Sequence, residues 1–355
     1  MKNGTVAAIS ALVGALALSA AAHAAYDPVG SGTTKLVLDR SFVAFLKRDG
    51  IRLSAKAGAR GKGSSFALPV TNGNLDATLG QGEIDNEGTL VFQSQRKKVP
   101  LRNLVLRTKH TPLIAKVGGS QLKIATSGKI SSQREGFGTY FQANQLKLTA
   151  KVITRLNKKL RPKAPFTQTQ LLGALKSQVE PRLTTILAQG RATLVLDPAF
   201  VTKMDEHFVS INPIFPAEHQ GSTFSLPIVG GGSLAPDGTE GELRTGGEME
   251  FLQLGAGQVF WHEQWLDMAA RSDSAEVDVE PAPAFPGKLG RIGVLQAAPF
   301  ATSADPGRRT ISASGVQLAL TAQSAHAFDE AFAEGKEDFK AGEVAGTLSF
   351  SAQGQ

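Results

Sequence analysis

The sequence predicts a mainly β protein, with two tandem antiparallel β-sandwich-like domains that each carry one or two short helices. The first observation behind this prediction is a repeat. The stretch "KLVLDRSFVAFL" from Lys35 returns as "TLVLDPAFVTKM" from Thr193, and "SSFALPV" from Ser64 returns as "STFSLPI" from Ser222, both 158 residues later. The second is the pattern inside each copy, where short apolar or alternating runs are separated by Gly, Asn, Asp and Ser, which favours short strands. A chain of 355 residues is long enough for two buried cores.

Residues 1–24 are predicted to be a secretory signal peptide. The segment has a single Lys near its start, an apolar run, and Ala-His-Ala at residues 22–24, which is typical of a signal peptide cleavage site. We therefore expect the mature chain to begin near Ala25. No later apolar run approaches the roughly 18 to 20 residues that a membrane-spanning helix needs, so the protein is expected to be secreted or cell-surface associated.

The repeats set the predicted domain boundaries. The first domain is predicted at residues 33–177, with helices at residues 40–49 and 150–160, where apolar side chains fall on one helical face. Residues 178–190 are predicted to be a linker, with room for a short helix after Pro181. The second domain is predicted at residues 191–351. Asp39 and Asp197 directly precede a helix in each copy and are predicted to be N-caps.

The two copies differ in charge. Residues 33–190 contain 27 Lys and Arg against 8 Asp and Glu, a net charge of +19. Residues 191–355 contain 10 Lys and Arg against 22 Asp and Glu, a net charge of −12. Either this difference is drift on solvated surfaces, or the basic domain meets an anion or the other domain.

Motifs for catalysis are missing from the sequence. Phosphate-binding loops, dinucleotide fingerprints and serine hydrolase elbows do not occur, and the His262-Glu263 pair has no second His at the spacing of a zinc protease. The absence of Cys excludes disulfides, thiolate chemistry and Cys-ligated zinc. The protein is therefore predicted not to be an enzyme, and no metal site or cofactor is predicted from the residues themselves.

The order of short motifs resembles the HtaA domain, the module of exported haem-uptake proteins in Gram-positive actinobacteria. In the first copy these motifs are Ser-Phe-x-x-aromatic at residues 41–45, Phe-x-x-Pro at residues 66–69, and Gly-x-x-x-x-x-Gly-x-Leu at residues 82–90. The resemblance covers most of both copies. It implies a tandem pair of HtaA-like domains and a family role in haem binding or uptake.

The resemblance also implies ligand positions, and this sequence departs from the family at all of them. Haem-binding members carry a Tyr ligand in the first motif and a supporting His later in the domain. The Tyr position is Phe45 in the first copy and Lys203 in the second, and the His position is Asn86 and Thr245. A haem site in this chain would need displaced ligands, and the candidates are Tyr140 and His110.

Two functions therefore remain open from the sequence. One is a non-enzymatic binding protein for haem or another small ligand. The other is a structural or adhesive protein of the cell envelope that binds anionic polymer through the basic first domain. Binding to nucleic acid is not expected.

Overall fold

The computed structural model describes residues 26–76, 79–95, 97–108, 113–280 and 288–355. The predicted signal peptide at residues 1–24 and His110 lie outside these described residues. Within them the predicted fold class is confirmed, because strands dominate and form two antiparallel sheets, each accompanied by two helices. The first sheet belongs to residues 26–181, the first domain, and the second sheet to residues 184–354, the second domain.

The first domain contains eleven strands and two helices. They are β1 (Tyr26–Leu38), α1 (Arg40–Arg48), β2 (Ile51–Lys56), β3 (Arg60–Lys62), β4 (Ser65–Asp76), β5 (Gln81–Ser94), β6 (Lys97–Arg107), β7 (Leu113–Val117), β8 (Ser120–Thr126), β9 (Lys129–Glu135), β10 (Gly138–Leu148), α2 (Ala150–Leu160) and β11 (Leu171–Pro181).

The second domain contains thirteen strands and two helices. They are β12 (Thr184–Leu196), α3 (Pro198–Glu206), β13 (Val209–Ile214), β14 (Glu218–Gln220), β15 (Thr223–Pro227), β16 (Ser233–Leu234), β17 (Gly241–Thr245), β18 (Glu248–Gln253), β19 (Gly257–Asp267), β20 (Ser272–Glu280), β21 (Lys288–Ala297), β22 (Thr302–Asp305), β23 (Thr310–Leu320), α4 (Ala322–Phe332) and β24 (Val344–Gly354).

Strand pairing joins each sheet into a closed ring. In the first domain the path runs β5-β6-β7-β8-β10-β11-β1-β4, and β4 also pairs with β5. In the second domain the path runs β19-β17-β16-β12-β24-β23-β21-β20, and β20 also pairs with β19. β2 and β13 lie beyond these rings as edge strands. Alternate residues of the ring strands therefore point into one enclosed core.

Strand register shows that the sequence repeat is a structural repeat. Leu36 of β1 pairs with Phe66 of β4, and Leu194 of β12 pairs with Phe224 of β15 in the same register. The equivalence extends to the helices, because α1 and α3 follow these strands directly, and α2 and α4 precede the last strand of each domain. Positions in the two domains can therefore be compared one by one.

Both predicted helices of the first domain are present, and both predicted N-caps are confirmed. The Asp39 carboxylate accepts the backbone N–H of Ser41 at 2.8 Å, and Asp197 accepts that of Ala199 at 2.9 Å. Hydrogen bonds from Ser41 hold the pKa of Asp39 below its usual value. Each Asp thereby satisfies a backbone donor that the first helical turn leaves unpaired.

The predicted linker at residues 178–190 is wrong. β11 continues to Pro181 and β12 begins at Thr184, so nearly the whole segment lies in strands and no helix follows Pro181. Two of its apolar residues, Val179 and Ile186, are buried, one in each core. β11 pairs with β1, and β12 pairs with β24, and these pairings provide hydrogen bonds for the backbone of the segment.

The two domains contact each other around Asp27, which is buried. Its carboxylate accepts the backbone N–H and the hydroxyl of Thr185, each at 2.9 Å, so a strand of the first domain holds the start of β12. Burial raises the pKa of Asp27. Close by, Arg134 donates to the carbonyl of Gln355, and the Phe137 ring packs into the core of the second domain.

Candidate ligand-binding site

The family's ligand position on α1 is filled by a core side chain. Phe45 is buried, and its ring lies 6.1 Å from that of Phe42 and 4.9 Å from that of Phe166, the latter edge-on. Such aromatic pairs contribute about 0.5–1.5 kcal/mol beyond their buried area. Phe45 offers no donor atom to a metal and is part of the packing that holds α1 against the sheet.

The equivalent position on α3 holds a cation that is already paired. The Lys203 ammonium lies 2.9 Å from the carboxylate of Glu343 and donates to the carbonyl of Asp338 at 2.8 Å. It also lies 4.9 Å from the centre of the Phe339 ring. Lys203 is therefore satisfied by protein groups, and ligation of iron would require these contacts to break.

Asn86 and Thr245 occupy equivalent positions in the two sheets. Asn86 pairs with Val70, and Thr245 pairs with Ile228, the residue that follows the strand Pro in each domain. Both side chains are buried. In the part of the chain that the structure describes, Asn86 Oδ1 and Thr245 Oγ1 have no hydrogen-bond partner. Each unpaired atom costs about 1–3 kcal/mol.

These four positions do not fit haem ligation. Phe45 lacks a donor, Lys203 is held in an ion pair, and neither an amide nor a hydroxyl replaces the imidazole that supports the family's Tyr ligand.

The displaced candidate Tyr140 lies on β10, four strands away from β5 in the ring. Its neighbour Phe141 points into the core and is buried, so Tyr140 points to the outer face. Its hydroxyl donates to Gln142 Oε1 at 3.5 Å. The structure therefore does not bring Tyr140 together with the positions on α1 and β5.

An open groove lies beside α1 and is the strongest candidate for a ligand site. The groove, here called the cationic groove, has a volume of about 820 Å³. Its apolar wall comes from α1 and β2, and its cations come from α1, β2 and β3. The apolar residues are Val43, Leu46, Ile51 and Leu53, and the cations are Lys47, Arg52 and Lys62. All three cations are exposed.

The second domain has an equivalent groove that is smaller, and uncharged or acidic residues replace the cations there. It is lined by the counterparts Val201, Met204, Val209 and Ile211, and its volume is about 170 Å³. Asp205 stands in the place of Lys47 and Ser210 in that of Arg52. The apolar wall is thus common to both domains, whereas the space and the positive charge belong to the first alone.

Sequence reasoning missed this groove, although a signal for it was present. The repeat offset of 158 residues places Lys47 opposite Asp205 and Lys62 opposite Gln220 in the aligned copies. The aligned copies therefore keep apolar residues here and differ in charge. Only the fold shows that these positions face one groove.

Other classes of site find no support. Among residues 26–76, 79–95, 97–108, 113–280 and 288–355, no group of three or more His, Cys, Asp or Glu side chains could hold a metal ion. Trp261 lies in the core of the second domain, and Trp265 is buried beneath the side chains of Arg244 and Arg291. No helix within the same ranges is both long and apolar enough to span a membrane.

Solved structures similar to this chain exist, although no protein-family profile and no curated protein matches it. One is the C-terminal domain of HtaA from Corynebacterium glutamicum, with 16% identity and a TM-score of 0.37, covering 48% of this chain and 98% of that one. These neighbours are HtaA domains. A second is the N-terminal domain of the same protein, with 16% identity and a TM-score of 0.33, covering 48% and 99%. HtaA is the family that the sequence motifs resemble, and values this low carry no conclusion about function.

Proposed function

We propose that the protein is a non-enzymatic binding protein of the cell surface, whose first domain holds an amphipathic organic anion in the cationic groove. The observation that carries the proposal is the combination of an apolar wall with three exposed cations, in a groove of about 820 Å³. Ligand pockets commonly measure about 300–1,000 Å³ and combine apolar walls with a few charged groups.

Haem and related tetrapyrroles belong to this ligand class, because they join a flat apolar body to carboxylate groups. The resemblance to HtaA domains supports this choice of ligand. Lys47, Arg52 and Lys62 would pair with the carboxylates, while the apolar wall would cover the macrocycle. In this form of binding the iron needs no protein ligand, which agrees with the loss of the Tyr and His at the family's positions.

Titration of the purified protein with haemin and with metal-free protoporphyrin IX tests the proposal. We expect the two dissociation constants to agree within about threefold, because the groove contacts the macrocycle and carboxylates that both share. The double variant Lys47→Glu/Arg52→Glu should weaken both at least tenfold, whereas Lys98→Glu, another exposed cation of the first domain, should change neither.

Other results of these titrations would indicate a different binding site. Haemin bound about a hundredfold more tightly than the metal-free ligand, with a tyrosinate-type absorption spectrum, would show that iron is ligated. If Tyr140→Phe then removed that spectrum, the ligand would be the displaced Tyr and the cationic groove would not be the site.

Secretion is part of the same proposal. The composition of residues 1–24 and the Ala-His-Ala ending support cleavage of a signal peptide. The intact mass of the exported protein should correspond to a chain that begins at or close to Ala25. A mass that still includes residues 1–24 would contradict this and indicate an uncleaved anchor.

A second candidate function is adhesion to an anionic polymer of the cell envelope. The observation that favours it is the net charge of +19 over residues 33–190, far from the net charge of −12 over residues 191–355. A basic surface of this size attracts polyanions by long-range electrostatics, which salt weakens.

A further inference from the structure

A second groove of the first domain lies on the outer face of its sheet. The residues that line it differ in chemical type from those of the cationic groove. It is here called the polar groove, and its volume is about 920 Å³. β4, β5 and β6 form its floor, Tyr26 of β1 stands at one side, and Lys123 of β8 stands at the other. The Tyr26 side chain is 52% exposed, so one ring face is free to contact a ligand.

Paired polar side chains line the floor. Asn72 lies opposite Asp85 in the register of β4 and β5, and Asn74 lies opposite Glu83. Residues that face each other across two antiparallel strands have Cβ atoms about 4.5–5.5 Å apart. Each pair therefore presents an amide, which both donates and accepts, beside a carboxylate, which accepts.

Charge within the polar groove is balanced, unlike the charge of its domain. Glu83 forms an ion pair with Arg107, and Asp85 and Lys123 have opposite charges, so the described residues that line the groove carry no net charge. None of the described residues that line it is Val, Leu, Ile, Met or Phe. The described lining therefore offers a polyanion no net positive charge, and it offers an apolar ligand no aliphatic surface.

Two glycines allow the paired strands β4 and β5 to approach closely beneath the groove. Gly73 and Gly82 have φ angles of +150° and +149°, which other residues rarely adopt. A Cβ at Gly73 would lie 2.3 Å from the carbonyl oxygen of Glu83, and one at Gly82 would lie 2.0 Å from that of Asn74. Both positions therefore require glycine for the close pairing of β4 and β5 beside the two amide–carboxylate pairs.

The same face of the second domain is filled by its own side chains. The guanidinium groups of Arg244 and Arg291 lie 5.5 and 4.4 Å from the centre of the Trp265 ring. Arg291 also pairs with Glu242, the counterpart of Glu83, and Arg244 pairs with Glu263. This stack occupies the surface that the first domain leaves open, so the polar groove is not a general consequence of the fold.

We propose that the polar groove binds a neutral carbohydrate. Pairs of amide and carboxylate groups match the neighbouring hydroxyls of a sugar ring, which donate and accept in pairs. The exposed Tyr26 ring suits the C–H face of a pyranose, because an aromatic side chain joins apolar area to rigidity. Neutral charge and the lack of aliphatic side chains select against polyanions and apolar ligands.

Isothermal titration of the full protein with three neutral hexasaccharides, maltohexaose, cellohexaose and xylohexaose, tests the proposal. We expect at least one of them to bind, with a dissociation constant that changes less than twofold between about 50 and 500 mM salt. Asn74→Ala and Tyr26→Ala should each weaken binding at least tenfold. Ser233→Ala, at the counterpart of Asn74 in the second domain, should leave it unchanged.

Three results would overturn the proposal. The first is that none of the three hexasaccharides binds. The second is that one binds but Asn74→Ala and Tyr26→Ala do not weaken it. The third is that a heparin hexasaccharide binds more tightly than all three, in a way that depends on salt and on Lys123. Thermal unfolding of Asn74→Ala, an exposed strand residue, establishes that the variant is folded. The haemin titration does not involve this groove, so the two proposals fail or succeed separately.

Discussion

Position 45 and its counterpart 203 show how one site on a repeated helix can take two structural roles. The Phe45 ring meets the edge of Phe166, and the Lys203 ammonium lies over Phe339, in both cases at 4.9 Å. Phe166 and Phe339 both lie between the last helix and the last strand of their domain. A cation over a ring contributes about 0.5–2 kcal/mol, which is comparable to an aromatic pair. Both residues therefore hold α1 or α3 in place, and neither is free to serve a ligand.

A second pair of positions gives a sharper contrast at the scale of one residue. Asp273 of β20 faces the core opposite Leu266, where the first domain has Leu113 at the start of β7. Asp273 is buried, and its Oδ1 has no partner among the described residues. Burial raises its pKa to about 8, and the charge of Arg291 only partly opposes this. The folded protein therefore holds a proton that the unfolded chain loses at much lower pH.

We predict that Asp273→Leu raises the melting temperature, and that it does so more at pH 8 than at pH 5. The unfolded carboxyl releases its proton near its ordinary pKa of about 4, whereas the folded one keeps it up to about pH 8. Between the unfolded and the folded pKa of Asp273, the free energy of unfolding of the wild type falls as pH rises. Asp273→Leu has no carboxyl at this position, so its free energy of unfolding does not fall for this reason. Calorimetry of both proteins at several pH values measures the difference between their melting temperatures.

Asp273→Asn is the matched control, because it keeps the shape and removes the titration. Its melting temperature should show the same pH trend relative to wild type as that of Asp273→Leu. A difference between wild type and variant that is constant from pH 5 to pH 8 would show that Asp273 does not titrate in this range in the folded protein.

At the scale of elements, a polar residue late in the second helix of each domain fixes the segment that follows. Asn157 of α2 accepts the backbone N–H of Phe166 at 2.8 Å and donates to its carbonyl at 3.1 Å. Asp329 of α4 accepts the N–H groups of Asp338 and Phe339, each at 2.8 Å. These bonds place Phe166 and Phe339 against α1 and α3, so the two helices of each domain are coupled through one side chain.

We expect Asn157→Ala to lower the free energy of unfolding by about 1–3 kcal/mol, because it leaves the backbone groups of Phe166 without partners. Chemical denaturation measures the change. Thr154→Ala on the same helix is the control. Its exposed hydroxyl donates to the carbonyl of Ala150 within the same helix, so its effect should stay within about 0.5 kcal/mol. Equal effects of the two substitutions would contradict the role of Asn157.

Elements with a local signal could be predicted from the sequence, and those set by distant partners could not. Helices α1 and α2 have apolar residues on one face, and their positions follow from that pattern. The segment at residues 178–190 has no such signal, because its strand conformation depends on pairing with β1 and β24. The cationic groove combines one helix with two strands, so its residues become a group only after folding.

At the scale of the whole molecule, the two domains are held by a buried polar contact as well as by packing. Asp27 and Arg134 lie close enough for each charge to affect the other, and burial raises the pKa of the first and lowers that of the second. Both residues belong to the first domain and each bonds to the second, Asp27 to Thr185 and Arg134 to the carbonyl of Gln355. The bonds of Asp27 and Arg134 therefore link the basic domain to the acidic one.

This arrangement predicts a salt-dependent interaction with polyanions on the first domain only. Lys158 and Lys159 are exposed at the end of α2, and Lys97 and Lys98 are exposed on β6, against which α2 packs. At physiological salt the screening length is about 8 Å, so the acidic second domain cannot cancel this surface across a whole domain. The full protein should bind immobilised heparin at about 50 mM salt and elute as salt rises.

Lys158→Glu/Lys159→Glu should elute at clearly lower salt than the wild type, because four units of charge change on the basic surface. Lys336→Glu/Lys340→Glu makes the same change on exposed residues of the second domain and should elute with the wild type. If the unmodified protein passes through the column at low salt, the charge difference between the domains does not create a polyanion site. If both variants shift equally, retention reflects net charge alone, and adhesion through the first domain is contradicted.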